Sequence, residues 1–421
     1  MILVKLDDHF IGELRPVEVI FKRGDADFGW LMFIDLGKFE VYALYTRVTT
    51  IDAELMTIEI RFADEPTDKQ SVFRLRYEIY VEEMDRYRSI SDEGNRVMIE
   101  DVDAQSRFLI AEEDGQIVGA MRWTWGGDHP FTERHIEQYF LQPFLDHMPA
   151  EQLIVGERFM VTKELRGSNL LFQMLCRYLE FCNDHRIQLV FGDCEPHLLN
   201  LYVGLGFRPY SDKNINSTET GYLIPLILVP EDVDYMNGIG SPLAGYLKDF
   251  GGDKRIPTSL EEQLKRSAVK CARLVPSKDY WGEIHDALFL AGQKRPTLFD
   301  GLPDKSVKLF LEKSNVIDCK VGDRVLKKGN VAQNMFVVLS GVLEVRDGND
   351  VVAYLSPGDI LGEVAFLLHT PRTADVYAVT TNTRLLSLSE STVRERIDDD
   401  PEIAATVLLN LSKMLCQKLV A

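Results

Sequence analysis

One stretch of the chain sets residues able to do chemistry at short, fixed spacing: SPGDILGEVAFLLHTPRTADVYA, residues 356–378. Gly358 and Gly362 let the backbone turn close to a ligand. The Glu363 carboxylate can accept a hydrogen bond from a sugar hydroxyl. Arg372, together with free amides at the start of the short apolar helix that Glu363, Val364 and Ala365 begin, can hold an anionic phosphate. Thr373 brings a hydroxyl that could reach a base amino group. A ribose hydroxyl beside a ring phosphate would satisfy both handles, which makes cAMP or cGMP the expected ligand, with cAMP the commoner of the two.

A second stretch, EQLIVGERFMVTKELRGSNLLFQML (residues 151–175), couples a strand end to a helix start through Arg166-Gly167. Amides at such a helix start, here following Gly167, Ser168 and Asn169, suit a phosphate or pyrophosphate. Downstream, LYVGLGF (residues 201–207) reads as a helix ending in a Gly turn.

The first stretch resembles the cassette of the cyclic nucleotide-binding domain family: Gly362-Glu363-Val364-Ala365, a short gap, then Pro371-Arg372-Thr373-Ala374-Asp375-Val376. The resemblance extends upstream through VGDRVLKKGN and through MFVVLSGVLEV with Gly341, and covers residues 297–421. It implies that Glu363 binds the ribose and that Arg372 and nearby amides bind the phosphate.

The second stretch resembles the GNAT acyltransferase fold. Leu201-Tyr202 through Gly206-Phe207 matches the later helix of that family, which implies that Tyr202 protonates the departing thiolate. The acyl-donor loop departs from the pattern: Asn169 and Leu171 stand where small residues belong. A carrier-protein phosphopantetheine, with one phosphodiester, asks less of such a loop than a CoA diphosphate does. The resemblance is to one branch in particular, the autoinducer and N-acyl amino acid synthases. Arg76 with Tyr80, the acidic patch Glu100-Asp101-Val102-Asp103, Gly119 through Arg122, and Glu157-Arg158-Phe159-Met160-Val161 are similar to that branch, with the Glu displaced by two residues. A two-residue shift in a strand keeps the same face.

The implied chemistry is attack of an amine on a thioester. The ammonium must first lose a proton, and Glu157 comes first as acceptor, with Asp103 or Asp193 next. A backbone amide near Met160 or Val161 could stabilise the oxyanion. Arg76, Asp101, Arg122 and Arg158 are expected to face the amine substrate. Each residue also has a structural alternative. Glu157 and Arg158 could be a surface pair, Tyr202 could pack its helix on the sheet, and Arg76 with Asp103 could be a structural ion pair.

The elements that must position these groups follow from periodicity. Residues 56–229 run strand, helix, hairpin, strand, helix, strand, helix, strand, with Asp114-Gly115 at the hairpin turn. That order predicts an α+β domain with a GNAT-like mixed sheet flanked by helices. Residues 297–399 are strand-rich with repeated Gly turns and are followed by a final helix, predicting a β-roll with flanking helices. Residues 1–55 read as a β-rich extension of unknown role, with Met56 a plausible alternative start, and residues 230–296 as a partly helical linker whose helix runs over 260–275.

Bulk composition narrows the function classes. A net charge of −19 and a pI near 4.9 argue against a large nucleic-acid-binding surface or docking on an anionic membrane. The six cysteines form no C-x-x-C pair, so no metal site is expected, and their scatter fits a cytoplasmic chain. The 22 residues after Asp399 are too few for a helix-turn-helix, which places the expected output on the N-terminal side. The expectation is therefore a cyclic-nucleotide-regulated N-acyltransferase drawing on an acyl carrier protein or acyl-CoA. A cAMP-switched protein lysine acetyltransferase and a non-catalytic sensor are the alternatives. Regulation is expected to work through movement of the helix over 400–421.

Overall fold

The computed structural model describes residues 58–247, 298–331 and 334–420, most of 262–285, and the backbone of three N-terminal strands. Those strands, β1 (Val17–Arg23), β2 (Ala26–Asp35) and β3 (Glu40–Thr46), form an antiparallel sheet in the order β1-β2-β3. Met56 lies outside the described residues.

A mixed sheet follows, in the order β10-β11-β8-β7-β6-β5-β4, with β9 paired to β11. Its strands are β4 (Glu59–Phe62), β5 (Arg107–Glu113), β6 (Gln116–Trp125), β7 (Leu153–Val161), β8 (Leu189–Cys194), β9 (Arg208–Pro209), β10 (Ile215–Ser217) and β11 (Gly221–Leu228). The β5–β6 hairpin turns at Asp114-Gly115, both at positive φ, as expected of an Asp-Gly turn. Helix α1 (Pro66–Arg76) starts on a Glu65–Asp68 capping box and continues into a wide π turn at Tyr77–Glu83. Two short helices, α2 (Glu133–Gln138) and α3 (Gln142–Leu145), lie between β6 and β7. Helix α4 (Leu170–Asp184) buries Met174, Tyr178 and Cys182 against the sheet, and α5 (Leu199–Leu205) stops at Gly206, whose φ of 116° needs glycine.

One feature of this sheet opens a cleft. β7 and β8 pair in parallel only over Leu153–Val155 and Leu189–Phe191. β7 also bulges: Ala120 faces Met160 and Arg122 faces Glu157, so Arg158 and Phe159 share a single position opposite Met121, and Arg158 adopts a φ of 54°. The strands diverge beyond that point.

The C-terminal part is a β-roll of two antiparallel sheets. One runs β12-β13-β20-β15-β18 and the other β14-β19-β16-β17. The first holds β12 (Val269–Cys271), β13 (Asn315–Cys319), β15 (Asn334–Ser340), β18 (Ile360–Leu361) and β20 (Thr383–Ser389). The second holds β14 (Arg324–Leu326), β16 (Leu343–Asp347), β17 (Asp350–Leu355) and β19 (Asp375–Ala378). Helices Asp304–Leu311, Glu363–Leu368, Glu390–Asp399 and Pro401–Val420 flank it. The expected helix over 260–275 is corrected in part. Glu262 and Leu264 are helical, but Val269–Cys271 is a strand paired with β13, because edge pairing outweighs a weak helical pattern. A single apolar cluster runs from Trp123 and Tyr178 through Tyr222 and Cys271 to Phe336 and Leu385, so the two layers share one core.

Candidate functional site

The divergence of β7 from β8 opens a cavity of about 910 Å³. Its apolar part is lined by Met121, Leu171, Leu175, Val190, Leu198 and Leu226. Its polar part holds Glu157, Arg158, Asp193, Tyr139, Glu195 and Tyr202, with the hairpin tip Ser217–Thr220 at its rim.

Two carboxylates meet one phenol. The Tyr139 hydroxyl lies 2.7 Å from Asp193 Oδ2 and 3.2 Å from Glu157 Oε1, so its single hydrogen serves one of them at a time. Glu157 Oε2 also accepts from Arg122 Nη2 at 2.9 Å and lies 3.5 Å from His135 Nε2. Burial works to raise the Glu157 pKa, but Arg122 and His135 outweigh it and hold the carboxyl below the usual carboxylate range. Asp193 has no such cation in contact. Burial, reinforced by the neighbouring Glu157 charge, pushes it up to about 6, against the pull of the Tyr139 hydrogen bond. A pKa near neutrality suits a proton acceptor. The electrostatics therefore favour Asp193 over Glu157 for that task, the reverse of the order expected from sequence.

Tyr202 lines the same cavity from α5 and packs edge-on against Phe207. Burial pushes its phenol well above the ordinary value, so it stays protonated. Arg158 also reaches the cavity. Its guanidinium grips Glu100 through two bonds of 2.8 and 2.6 Å, donates to the Tyr87 hydroxyl at 2.8 Å, and lies over the Tyr87 ring.

Several expected site residues lie elsewhere. Asp103 is buried and receives Arg76 at 2.7 and 3.1 Å, Arg122 at 2.8 Å and the Glu100 amide at 2.7 Å. Arg76 is fully buried behind it, and Asp101 is exposed. None of the three lines the cavity, so Asp103, expected as a proton acceptor, and Arg76 and Asp101, expected at the amine, lie outside it. They brace the site: Arg76 and Asp103 form the structural ion pair that was the alternative reading. Arg122, also buried, orients Glu157. On β7 the cavity is lined by Gly156 to Phe159; Met160 is buried in the core instead, and Val161 accepts Arg166 through its carbonyl.

Arg166 is paired with Glu83 at the start of α4. Gly167 has a φ of 82°, and Ser168 Oγ accepts from the Leu170 amide at 3.2 Å. Asn169 is buried, and neither its Oδ1 nor its Nδ2 has a partner. Unpaired buried polar atoms are costly, and these lie at the start of α4.

The cassette on the roll is equally well formed. Gly362 has a φ of 78°, and a Cβ there would overlap the Arg372 guanidinium. Arg372 is buried and donates to the Gly362 carbonyl at 2.6 Å and to Asn334 O and Oδ1 at 2.5 and 2.9 Å, while its Nε donates to nothing. Burial, with no carboxylate in contact, lowers its pKa to about 10. A buried cation without a counter-ion fits an anionic phosphate. Glu363 is buried and receives Lys418 of the C-terminal helix at 2.8 Å. Val364 and Thr373 are exposed, Ala365 is buried and Ala374 is half-buried.

Tyr139, His135 and Glu195 were missed by sequence reasoning. They lie on irregular or short segments with no periodic signal, and only long-range packing brings them to the cleft. Among the described residues, no cluster of His, Cys, Asp and Glu could hold a metal, and no helix is long and apolar enough to cross a membrane. All six cysteines are free thiols.

Residues 71–226 match the family model for the N-acyl amino acid synthase FeeM, and residues 317–400 match that for the cyclic nucleotide-binding domain. A cAMP-dependent protein kinase regulatory subunit from Debaryomyces hansenii is 32% identical over 105 residues, 25% of this chain and 21% of that protein. The Pycsar effector protein XpPycTIR of Xanthomonas perforans is 27% identical over 24% of this chain and 34% of its own. The chain thus spans about a fifth to a third of the length of these curated relatives. Among solved structures, the CoA-dependent acyl-homoserine lactone synthase BjaI is 20% identical, with 44% of this chain and 90% of that one covered and a TM-score of 0.35. The Thermus thermophilus catabolite activator protein is 28% identical, with 29% and 57% covered and a TM-score of 0.26.

Proposed function

Because the chain joins a domain of the N-acyl amino acid synthase FeeM type to a cyclic nucleotide-binding domain, we propose that it is an N-acyltransferase that moves an acyl group from a carrier-protein or CoA thioester to an amine under cyclic-nucleotide control. One observation carries the reading: Asp193, Tyr139, Glu157 and Tyr202 converge on the large cavity between the diverging strands.

In this reading the acceptor's ammonium gives its proton to Asp193. The free amine then attacks the thioester carbonyl carbon, and a C–N bond forms as the π electrons move to oxygen. Collapse of that tetrahedral species breaks the C–S bond, and the departing thiolate takes the Tyr202 proton. The acylated nitrogen gives its remaining extra proton to the Tyr202 phenolate, directly or through water, which leaves a neutral amide, and Asp193 releases its proton to solvent. Tyr139 holds the two carboxyls apart in role, and Arg122 keeps Glu157 ionised. Holding amine and thioester in one cleft supplies much of the rate. The apolar part of the cavity suits a long acyl chain, whereas an acetyl group would leave it largely empty, which favours this reading over lysine acetylation. Asn169 and the amides at the start of α4 would hold the donor's phosphate, and Arg158 stands where a substrate's polar group would enter.

On the roll, Arg372 and nearby amides would hold the phosphate of cAMP or cGMP, and Glu363 its ribose. The two domains are read as residues 56–229 and 297–421, acting in the cytoplasm. The test is to incubate the full chain with long-chain acyl carrier protein or acyl-CoA and a panel of amines, then look for N-acyl products by mass spectrometry. Absence of any N-acyl product with both donors, with and without cAMP and cGMP, would sink the catalytic reading.

A further inference from the structure

The small cavity beside Arg372 and the large cleft share a wall. Beside Arg372 lies a cavity of only about 20 Å³, far below the roughly 300 Å³ a small-molecule site needs. Its roll-side lining is Leu326, Lys327, Asn330, Asn334, Phe336 and Arg372. The opposite side belongs to the mixed-sheet layer: Glu195, Pro196, Thr220 and Tyr222. A ligand group reaching Arg372 from this side must part some of these walls. Two of them, Glu195 and Thr220, also line the 910 Å³ cavity, so moving them reshapes the cleft.

The contacts that hold this wall are specific. Glu195 is gripped by Arg86 at 2.6 and 3.2 Å, and the same guanidinium donates to the Val331 carbonyl of the roll at 2.9 Å. The hairpin tip is pinned by Arg324, which donates to Ser217 O and Thr218 O at 2.9 and 2.7 Å, and by Lys327, which meets Glu219 at 3.1 Å. Asn330 completes a direct path. Its side chain donates to the Thr220 carbonyl at 3.1 Å, while its own carbonyl accepts the Arg372 amide at 2.8 Å. One residue therefore joins the phosphate-binding arginine to the rim of the cleft.

Charge gives the wall a direction. Arg372 is a buried cation without a contacting carboxylate, and Glu195 lines the same small cavity. A ligand phosphate would bring a second anion against Glu195. We infer that Glu195 is a tethered anion that competes with the ligand phosphate for the field of Arg372, and that nucleotide entry displaces Glu195 and the Ser217–Thr220 tip, coupling the sensor to the acyl-transfer cleft. This rests on the reading of the roll as a nucleotide sensor and names its coupling element. Linkage makes the effect reciprocal: occupancy of the cleft must alter nucleotide affinity by the same factor.

The experiment uses the full chain. Calorimetric titration with cAMP and with cGMP is compared for wild type, Glu195→Gln and Arg372→Ala. Glu195→Gln, which keeps a hydrogen-bonding side chain beside Arg86, is expected to bind the better nucleotide at least about fivefold more tightly, the lower end of couplings between sites. Hydrogen exchange over residues 215–221 of wild type, which needs no variant, is expected to rise on nucleotide addition. Equal affinity in wild type and Glu195→Gln, or unchanged exchange at 215–221 with nucleotide bound, overturns the coupling while leaving the sensor reading intact. No binding of either nucleotide by wild type overturns the sensor reading and the inference together.

Discussion

Lys418 donates to Glu363 at 2.8 Å, so the C-terminal helix occupies the carboxylate that would take a nucleotide's ribose hydroxyl. Lys418 also donates to the Ile360 carbonyl at 2.7 Å, which ties the end of Pro401–Val420 to β18. A ligand that claims Glu363 must release this lysine. The Lys418→Met variant should therefore bind cyclic nucleotide more tightly. Because the lysine is 38% exposed, the pair is worth at most about 1 kcal/mol, or roughly a fivefold change in affinity. Titration with a fluorescent cyclic nucleotide checks this, and weaker binding would mean that Lys418 helps to hold the ligand.

Arg372→Ala should weaken cyclic-nucleotide binding by about 10- to 100-fold, the value of charge-assisted hydrogen bonds to one phosphate. The melting point should fall as well, since Ala removes the hydrogen bonds to Gly362 and Asn334. Calorimetry and a melting curve on the same sample separate the two outcomes.

Asp193 should set the acid limb of the pH profile. Its carboxyl, raised to about 6, must be ionised to accept a proton, so the rate should fall as pH drops through about 6. Asp193→Asn should lower kcat by about 100-fold or more and remove that limb. Stability has the opposite sign. The folded state binds this proton more tightly than the unfolded chain does, so the group costs stability above about pH 6, and Asp193→Asn should melt no lower than wild type there. A profile with no limb near 6 would point to another acceptor.

Tyr202→Phe should reduce kcat with little change in KM, by about 100-fold if proton donation to the thiolate is limiting. A substrate with a thiol of lower pKa should recover much of the loss, because it needs no proton to leave. Loss through KM alone would show that Tyr202 only shapes the cavity.

Arg76→Ala should act on stability. Removing one partner from a buried ion cluster leaves Asp103 with Arg122 as its remaining cation and costs about 3–5 kcal/mol. Chemical denaturation should show this even in the absence of substrate, whereas a substrate-contact role would leave the unfolding midpoint in place.

Much of this protein was legible without coordinates. The cassette from Gly362 to Val376 is one contiguous segment, so its glycine, carboxylate and arginine can be read from local spacing, and the overlap that any Cβ at Gly362 would make with Arg372 explains the glycine. Helix α4 and the Asp114-Gly115 hairpin are likewise local, set by periodicity and turn chemistry. The candidate cleft was legible in part. Glu157, Arg158 and Tyr202 sit on periodic elements, and all three line the cavity.

Tertiary structure alone gave the two carboxylates of the cleft different surroundings. Glu157 and Asp193 look alike in sequence, but Arg122 and His135 arrive at one and only Tyr139 bridges to the other, from elements 18 to 54 residues away. It also decided that Arg76 and Asp103 brace the site from behind, and that Glu195 faces two cavities. Local spacing specifies which groups a segment can present. Burial and long-range partners determine their charge state, and those depend on contacts that no short stretch of chain contains.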